Sequence, residues 1–108
     1  MASKTLPPAE WHPYVARLSE TIRGKQVRIE VVGPALGVQV LVRSSSILGI
    51  TYEPKRNTLE ILLDGLDHLI EKPKAISVQE DDGVLFALEI VDRDDQHQIL
   101  TLVASAPV

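Results

Sequence analysis

The side chains best suited to chemistry are three titratable residues near the middle of the chain. Asp64, Asp67 and His68 fall within five residues. Carboxylate oxygens and an imidazole nitrogen can bind a divalent metal ion, and a carboxylate can also orient a histidine that acts as a base. Leucine and isoleucine flank the group, so we expect its solvation to be poor. This stretch is therefore the first candidate catalytic site.

Two further residues extend this candidate site, and a structural interpretation competes with it. His97 and Asp95 would join the three residues if the last hairpin lay alongside them. Alternatively, Asp64 ends a strand, Asp67 caps a turn through backbone N–H groups, and His68 is a buried residue bonded to a carbonyl. Zinc sites normally contain more histidine or cysteine than this. The sequence therefore assigns no metal ion.

A second group of residues is suited to binding rather than to catalysis. It surrounds Pro54, at the predicted end of a strand, and consists of Tyr52, Glu53, Lys55 and Arg56. An aromatic ring, an acid and two bases could contact an anionic or peptide ligand, because loops carry function more often than the framework does. The alternative is a solvated turn beside an edge strand.

One helix is expected before these candidate sites. Apolar residues recur at helical spacing from Pro8 onwards, at Trp11, Tyr14, Val15, Leu18 and Ile22. Pro13 lacks an N–H group, which predicts that the regular part starts nearer His12, with Pro13 in the first turn. Gly24 suits the end of the helix. The pattern places the aromatic residues on the face that is buried.

Strand patterns fill the rest of the chain. Alternating or continuous apolar runs cover residues 26–32, 38–42, 47–53, 58–63, 75–79, 84–91 and 96–103, with a polar break at 43–46. One face of the run at 58–63 carries Leu59, Ile61 and Leu63, and one face of the run at 84–91 carries Val84, Phe86, Leu88 and Ile90. Short connections favour antiparallel neighbours. The predicted fold class is α+β: one N-terminal α-helix followed by a mostly antiparallel six- or seven-stranded sheet, curled into a roll or partly open barrel. Residues 1–7 are predicted to be a flexible lead-in, 8–103 a single domain, and 104–108 a tail.

The net charge of −4 hides an asymmetry along the chain. From Met1 to Thr58 there are eight Lys or Arg against four Glu, and from Leu59 to Val108 three against eleven Asp or Glu. If the strands of the halves segregate in space, the basic and acidic sides could steer a charged partner or favour self-association. The absence of cysteine excludes disulfides and thiol catalysis. No apolar run approaches the roughly 20 residues of a membrane span, so we predict a cytoplasmic protein.

Several stretches resemble a bacterial family of small proteins classed as a domain of unknown function. They are Trp11 with Tyr14 and Leu18-Ser19; Leu48 to Pro54; Gly65 to Ile70 with Pro73; and Leu88-Glu89-Ile90 followed by Gln98-Ile99-Leu100. The resemblance extends from about Leu6 to Leu102. The family pattern has aspartate where this chain has Glu53, and glycine near Asp95, which changes one carboxylate length and one turn type. The resemblance implies a single domain of bacterial origin, and it implies no activity, cofactor or partner.

Two functional hypotheses follow from the sequence. The first is a non-catalytic binding or protein-interaction module of a bacterial cytoplasm, with an unknown protein partner or self-association through an edge strand. The alternative is a small metal-assisted or acid-base enzyme centred on His68 with Asp64 and Asp67. Nucleic-acid binding is disfavoured, because the acidic total opposes phosphate contact and four scattered aromatic residues offer no stacking platform. No cofactor and no membrane association are predicted.

Overall fold

The computed structural model describes residues 2–35, 37–82 and 84–103, which form one helix and eight strands. In chain order the elements are β1 (Ala2–Leu6), α1 (Pro8–Ile22), β2 (Gln26–Gly33), β3 (Gly37–Glu53), β4 (Thr58–Leu63), β5 (Leu66–Glu71), β6 (Ala75–Asp81), β7 (Val84–Val91) and β8 (His97–Leu102). The predicted α+β class with an antiparallel sheet is confirmed. The sheet has eight strands rather than six or seven.

All eight strands belong to one antiparallel sheet. Their order across the sheet is β1-β6-β7-β8-β2-β3-β4-β5, so β1 and β5 form its two edges. In the parts of the chain that the structure describes, no backbone ladder joins one edge to the other, and the sheet is therefore open rather than a closed barrel.

Two strands, β1 and β5, have no counterpart among the predicted runs, whereas the runs at 38–42 and 47–53 form the single strand β3. Strand β1 lies in the region predicted to be a flexible lead-in. It pairs with β6 from Ala2 opposite Glu80 to Leu6 opposite Ile76. The indole N–H of Trp11 donates to the carbonyl oxygen of Leu6 at 3.0 Å. Because β6 is far along the chain, no local pattern announces this strand. The predicted tail, residues 104–108, lies outside the residues that the structure describes.

Helix α1 begins at Pro8, one turn earlier than the predicted regular part. Pro13 therefore lies inside the helix rather than in its first turn. Pro13 and Ala9 are exposed, so water can bind the carbonyl group that the proline leaves without an N–H partner. The buried face of α1 consists of Trp11, Val15, Leu18 and Ile22. Among the residues described, no helix combines the length and apolar character needed to cross a membrane.

Strand β3 is 17 residues long and changes its partner halfway along. Residues 37–46 pair with β2, and residues 47–53 pair with β4. The polar stretch at 43–46, which was expected to be a break, continues the strand. Its serines bond across the sheet to Gln26: Ser44 Oγ donates to the Gln26 Oε1 atom at 2.9 Å, and Gln26 Nε2 donates to Ser46 Oγ at 2.8 Å.

Helix α1 takes the place of β2 beside the second half of β3. The backbone N–H of Ile50 donates to Ser19 Oγ at 3.0 Å. The chain just after the helix adds two backbone bonds, from Gly24 N to Ile47 O at 2.7 Å and from Ile47 N to Lys25 O at 2.9 Å. These bonds satisfy backbone groups that β2 no longer reaches, and they fix the helix over the inner face of the sheet.

The inner face of the curled sheet and α1 enclose the core. Its largest fully buried aliphatic side chains include Ile29, Ile47, Ile50, Leu59, Ile61, Ile70, Ile76, Leu88, Ile90 and Leu100. They come from strands on both sides of the β3 partner change, so a single core holds the whole sheet. The predicted alternation of Leu59, Ile61 and Leu63 is confirmed, since all three are buried.

Candidate functional site

Strands β4 and β5 form a tight hairpin at one edge of the sheet. Asp64 and Gly65 make the turn, and Gly65 has a φ of +81°, a left-handed conformation that favours glycine. Because side chains alternate along a strand, His68 and Ile70 point to the inner face, whereas Asp67, Leu69 and Glu71 point outward. Neighbouring residues in the sequence therefore serve opposite faces of this edge.

The hydrogen-bond pattern shows which backbone groups of β5 face the free edge. The Ile50 N–H is directed to Ser19, so Ile50 does not donate it to β4. Ile50 and Ile61, which lie opposite each other, are therefore a non-hydrogen-bonded pair of β3 and β4. Since backbone groups of one residue point to the same side of a strand, the N–H and C=O groups of Ile61 are directed to β5, where they bond with His68. It follows that the N–H groups of Asp67, Leu69 and Glu71 point away from β4, along the open edge.

The outer surface of β3, β4 and β5 is acidic. We use the term acidic face for its four carboxylates, Glu53, Glu60, Asp67 and Glu71. The hairpin residues 58–71 include four Asp or Glu and no Lys or Arg. Hydroxyl and leucine side chains lie among the carboxylates: Thr51, Thr58, Leu62 and Leu69. The surface thus combines negative charge with small apolar contacts.

Two carboxyl groups of the acidic face lie close together. Glu60 on β4 and Asp67 on β5 are diagonal neighbours, and the protonated Glu60 carboxyl can donate a hydrogen bond to the Asp67 carboxylate. This bond is the main cause that raises the pKa of the Glu60 carboxyl above its ordinary value, and loss of solvation and the negative charge of Asp67 act in the same direction. A hydrogen bond with Thr51 lowers the pKa and opposes the shift.

Replacing one member of this pair gives a pH-dependent prediction. Glu60→Gln should stabilise the fold at about pH 8, where two ionised carboxylates repel each other in the folded protein only. Below the ordinary pKa of 4.5, Glu60 is protonated in both the folded and the unfolded chain, so the gain should disappear. Urea unfolding of wild type and variant at about pH 8 and pH 3.5 measures the difference. A gain of equal size at both pH values would contradict the repulsion.

The control for this measurement is Glu20→Gln. Glu20 is exposed on α1, and its substitution removes the same charge without changing the acidic face. The difference between the free energy of unfolding of this variant and that of wild type should be small at both pH values, because exposed surface substitutions of this kind are usually within about 0.5 kcal/mol of wild type.

Grooves lie on both sides of the outward-facing part of β5. The first, which we call the edge groove, has a volume of about 330 Å³. One of its walls is formed by Leu69, Ile70 and Glu71, and the other by the β7–β8 turn at residues 92–96 together with Gln98. The second has a volume of about 820 Å³ and runs over the acidic face. Leu69 and Glu71 line both grooves, and Leu69 is 52 % exposed. Together these features define the candidate binding site.

His68 belongs to a different arrangement on the inner side. Its Nε2 atom lies 2.7 Å from Gln98 Oε1, and Gln98 Nε2 donates to Asp92 Oδ2 at 2.9 Å. The Asp92 carboxylate can only accept, which fixes the orientation of the Gln98 amide. The amide oxygen therefore faces His68, and Nε2 of the imidazole must donate. This chain, which we call the His68 relay, links β5 to β8 where the strands do not pair.

The structure does not bring the predicted catalytic residues together. Asp67 lies on the face opposite His68, and Asp64 is exposed in the β4–β5 turn. His97 points outward and pairs with Glu89, at 3.0 Å between Nδ1 and Oε1, while its neighbour Gln98 reaches His68. Asp95 pairs with a lysine at the surface. No group of three or more His, Cys, Asp or Glu suited to a metal ion occurs in the described chain.

The second group of predicted residues is divided between the two faces. The Tyr52 ring packs edge-on against Trp11, with 5.4 Å between ring centroids, and its hydroxyl donates to Asn57 Oδ1 at 2.6 Å. Burial raises the pKa of the Tyr52 hydroxyl. The other three members, Glu53, Lys55 and Arg56, line the groove over the acidic face. Tyr52 therefore anchors the β3–β4 turn from inside, and the charged residues border the candidate site.

Comparison with known proteins places this small α+β chain in a family. The sequence pattern of a family described as "Family of unknown function (DUF5335)" matches residues 2–106. An uncharacterized protein from Aquifex aeolicus (strain VF5) is 38 % identical over 109 residues, which cover 100 % of this chain and 98 % of the relative. The chain therefore belongs to this family of unknown function. No solved structure matches it.

Proposed function

We propose that the protein is a non-catalytic interaction module of the bacterial cytoplasm that binds an extended segment of another protein along the free edge of β5. The observation that supports this is the position of Leu69. Its side chain is half exposed among carboxylates, its backbone N–H points away from β4, and it borders a groove on either side. An extended chain that adds a strand to a sheet edge uses such outward backbone groups for affinity.

The acidic side chains favour a partner other than a second copy of the same edge. If two β5 strands paired, Asp67 and Glu71 of one copy would approach the same carboxylates of the other. Like charges on paired strands are destabilising, and charged residues are one of the means by which edge strands avoid self-association. The four carboxylates of the β4–β5 hairpin therefore select against a β5–β5 dimer.

The edge groove supports pairing with a segment rather than with a folded surface. Its two walls are β5 and the β7–β8 turn, which the His68 relay holds in place on the inner side. A rigid slot of this kind reduces the entropy lost on binding, because the site is already formed. A short segment buries little surface, so we expect a transient complex.

A proline substitution tests this proposal. Leu69→Pro removes the outward N–H group, and proline is tolerated in edge strands where that N–H group faces away from the sheet. Proteins captured from a lysate of the source organism by wild type should be absent with Leu69→Pro and present, if weakened, with Leu69→Thr, which keeps the N–H group. In a complex with a captured protein, hydrogen exchange at Asp67, Leu69 and Glu71 should slow.

Two controls make the result decisive. Circular dichroism and urea unfolding must show that Leu69→Pro is folded. Light scattering of wild type should give the mass of a monomer. Equal capture by Leu69→Pro and wild type, or a dimer that Leu69→Pro abolishes, would overturn binding of a foreign segment at this edge.

A further inference from the structure

The acidic face specifies what the partner segment must look like, an inference that rests on the function proposed above. We propose that β5 recognises an antiparallel segment with the pattern basic, small polar, apolar, small polar, basic, whose second basic residue sits over Asp67 and Glu60. The pattern follows from the register of an added strand and from the side chains that each of its positions meets.

The register is set by the outward residues of β5. In an antiparallel strand, successive outer-face positions of the partner lie opposite Glu71, Leu69 and Asp67, in that order along the partner chain. The first and last of these positions meet carboxylates, and the middle one meets an exposed leucine. Charge and apolar contact therefore alternate with a spacing of two residues, as side chains of a strand require.

The strongest recognition is expected at the position opposite Asp67. Glu60 on the next strand is the diagonal neighbour of Asp67, and the two carboxyl groups lie close enough to share a proton, so a second acid stands beside Asp67 on the side away from the partner. A guanidinium group has a planar set of N–H donors and stays ionised, which suits it to contact both. It would also remove the repulsion between the two acids. This is the reason that we assign arginine rather than lysine to this position.

The position opposite Glu71 should contribute less. Glu71 Oε2 is 3.4 Å from Arg93 Nη1, and Arg93 belongs to the far wall of the edge groove. A basic side chain of the partner would have to share this carboxylate with Arg93. Lys55 and Arg56 also border the acidic face near the row that contains Glu53 and Glu71, which adds repulsion for a second cation there.

The two remaining positions of the segment lie opposite His68 and Ile70 and point to the inner side. There they meet the edge groove, whose lining is largely polar: Glu71, Asp92, Arg93, Asp94, Gln96 and Gln98. The groove has a volume of only about 330 Å³. Serine or threonine fits this space and can hydrogen-bond with it, whereas a large apolar residue would be buried against polar groups.

Synthetic peptides test the pattern directly. We would titrate acetylated and amidated peptides with the central sequences Arg-Thr-Val-Thr-Arg, Gln-Thr-Val-Thr-Gln and Glu-Thr-Val-Thr-Glu into the labelled full-length protein, and follow the backbone amides of residues 66–71 by NMR. The basic peptide should bind about two- to thirtyfold more tightly than the neutral one, since each exposed ion pair changes an equilibrium by a factor of roughly 1.4 to 5. The acidic peptide should bind most weakly.

Two peptides with a single arginine test the register. Gln-Thr-Val-Thr-Arg places its arginine opposite Asp67 and should bind more tightly than Arg-Thr-Val-Thr-Gln. The combined variant Glu60→Gln and Asp67→Asn should abolish this difference. The combined variant Glu10→Gln and Glu20→Gln removes the same charge from the exposed surface of α1 and should preserve it.

The possible results test the recognition pattern and strand addition at β5 separately. If the basic, neutral and acidic peptides all shift the amide signals of Asp67, Leu69 and Glu71 and bind with equal affinity, strand addition stands and the recognition pattern is overturned. If the basic peptide shifts other amides only, the pattern is likewise overturned. If no peptide affects these three amides, strand addition at β5 is overturned as well.

Discussion

Trp11→Ala is expected to lower the free energy of unfolding by about 3–5 kcal/mol, the range for removing a large aromatic side chain from a core. The Trp11 side chain is 4 % exposed. It joins three elements, because it lies on α1, donates to the Leu6 carbonyl of β1, and packs against Tyr52 of β3. A loss of this size is a large fraction of the 5–15 kcal/mol typical of a single domain.

A conservative variant separates the two roles of the indole. Trp11→Phe keeps an aromatic ring for Tyr52 but loses the hydrogen bond to Leu6 and part of the buried volume of the indole, so it should cost about 1–3 kcal/mol. Trp11 is the only tryptophan in the sequence, so unfolding in urea should be followed by circular dichroism rather than fluorescence. A loss below about 1 kcal/mol for Trp11→Ala would contradict the central position of this residue.

Asp92→Ala should also be strongly destabilising, with an expected loss of about 2–4 kcal/mol. Asp92 is buried, and its carboxylate accepts three hydrogen bonds: from Asp94 N at 2.9 Å, from Gln96 N at 3.0 Å and from Gln98 Nε2 at 2.9 Å. Each hydrogen bond to a charged group contributes roughly 1.5–3 kcal/mol. The expected loss is smaller than the sum for three bonds, because the N–H groups of the turn can bind water in the variant.

The His68 relay supplies a second readout for Asp92→Ala. Without the carboxylate, the Gln98 amide can rotate, and His68 should lose its fixed Nε2–H tautomer. Nitrogen chemical shifts of the imidazole ring report the tautomer directly. Asp94→Ala is the control, because Asp94 is exposed and contributes only its backbone N–H to Asp92. An unchanged His68 tautomer in Asp92→Ala would show that the relay does not orient the ring.

The periodicity of apolar residues predicts the buried face of an element correctly where the two faces of that element differ in polarity. The helix face and the Leu59 strand are correct because apolar and polar residues separate at spacings of 3.6 and 2. In β7, where both faces are apolar, the alternation fails. A bulge opposite Gln79 and Glu80 shifts the register, so that Leu85 is buried and Val84 is 61 % exposed. A strand with two apolar faces leaves its own register undetermined.

The features that were missed depend on contacts far apart in sequence. The strand at residues 2–6 exists because β6 pairs with it, and the polar stretch at 43–46 stays in β3 because Gln26 bonds its serines. Neither partner can be identified from the segment itself, since the pairing is tertiary.

For the candidate site, the sequence holds one further signal. Extending the alternation of β4 through Gly65 into β5 would have placed Asp67 and His68 on opposite faces, because adjacent strand residues point in opposite directions. Gln98 and Asp92, in contrast, could not have been assigned to His68. They reach it only through the curl of the sheet, which brings the edge strand β5 close to the central strand β8 without pairing the two.

The strand order also determines when the sheet can be completed during synthesis. Five hairpins, β2–β3, β3–β4, β4–β5, β6–β7 and β7–β8, join neighbours in sequence and can form as soon as each has been made. The seams β1–β6 and β2–β8 cannot, because their strands are separated by most of the chain. Until residues 97–102 have been synthesised, β2 has an open edge in the middle of the future sheet. A nascent chain is therefore most prone to aggregation just before its last strand is added.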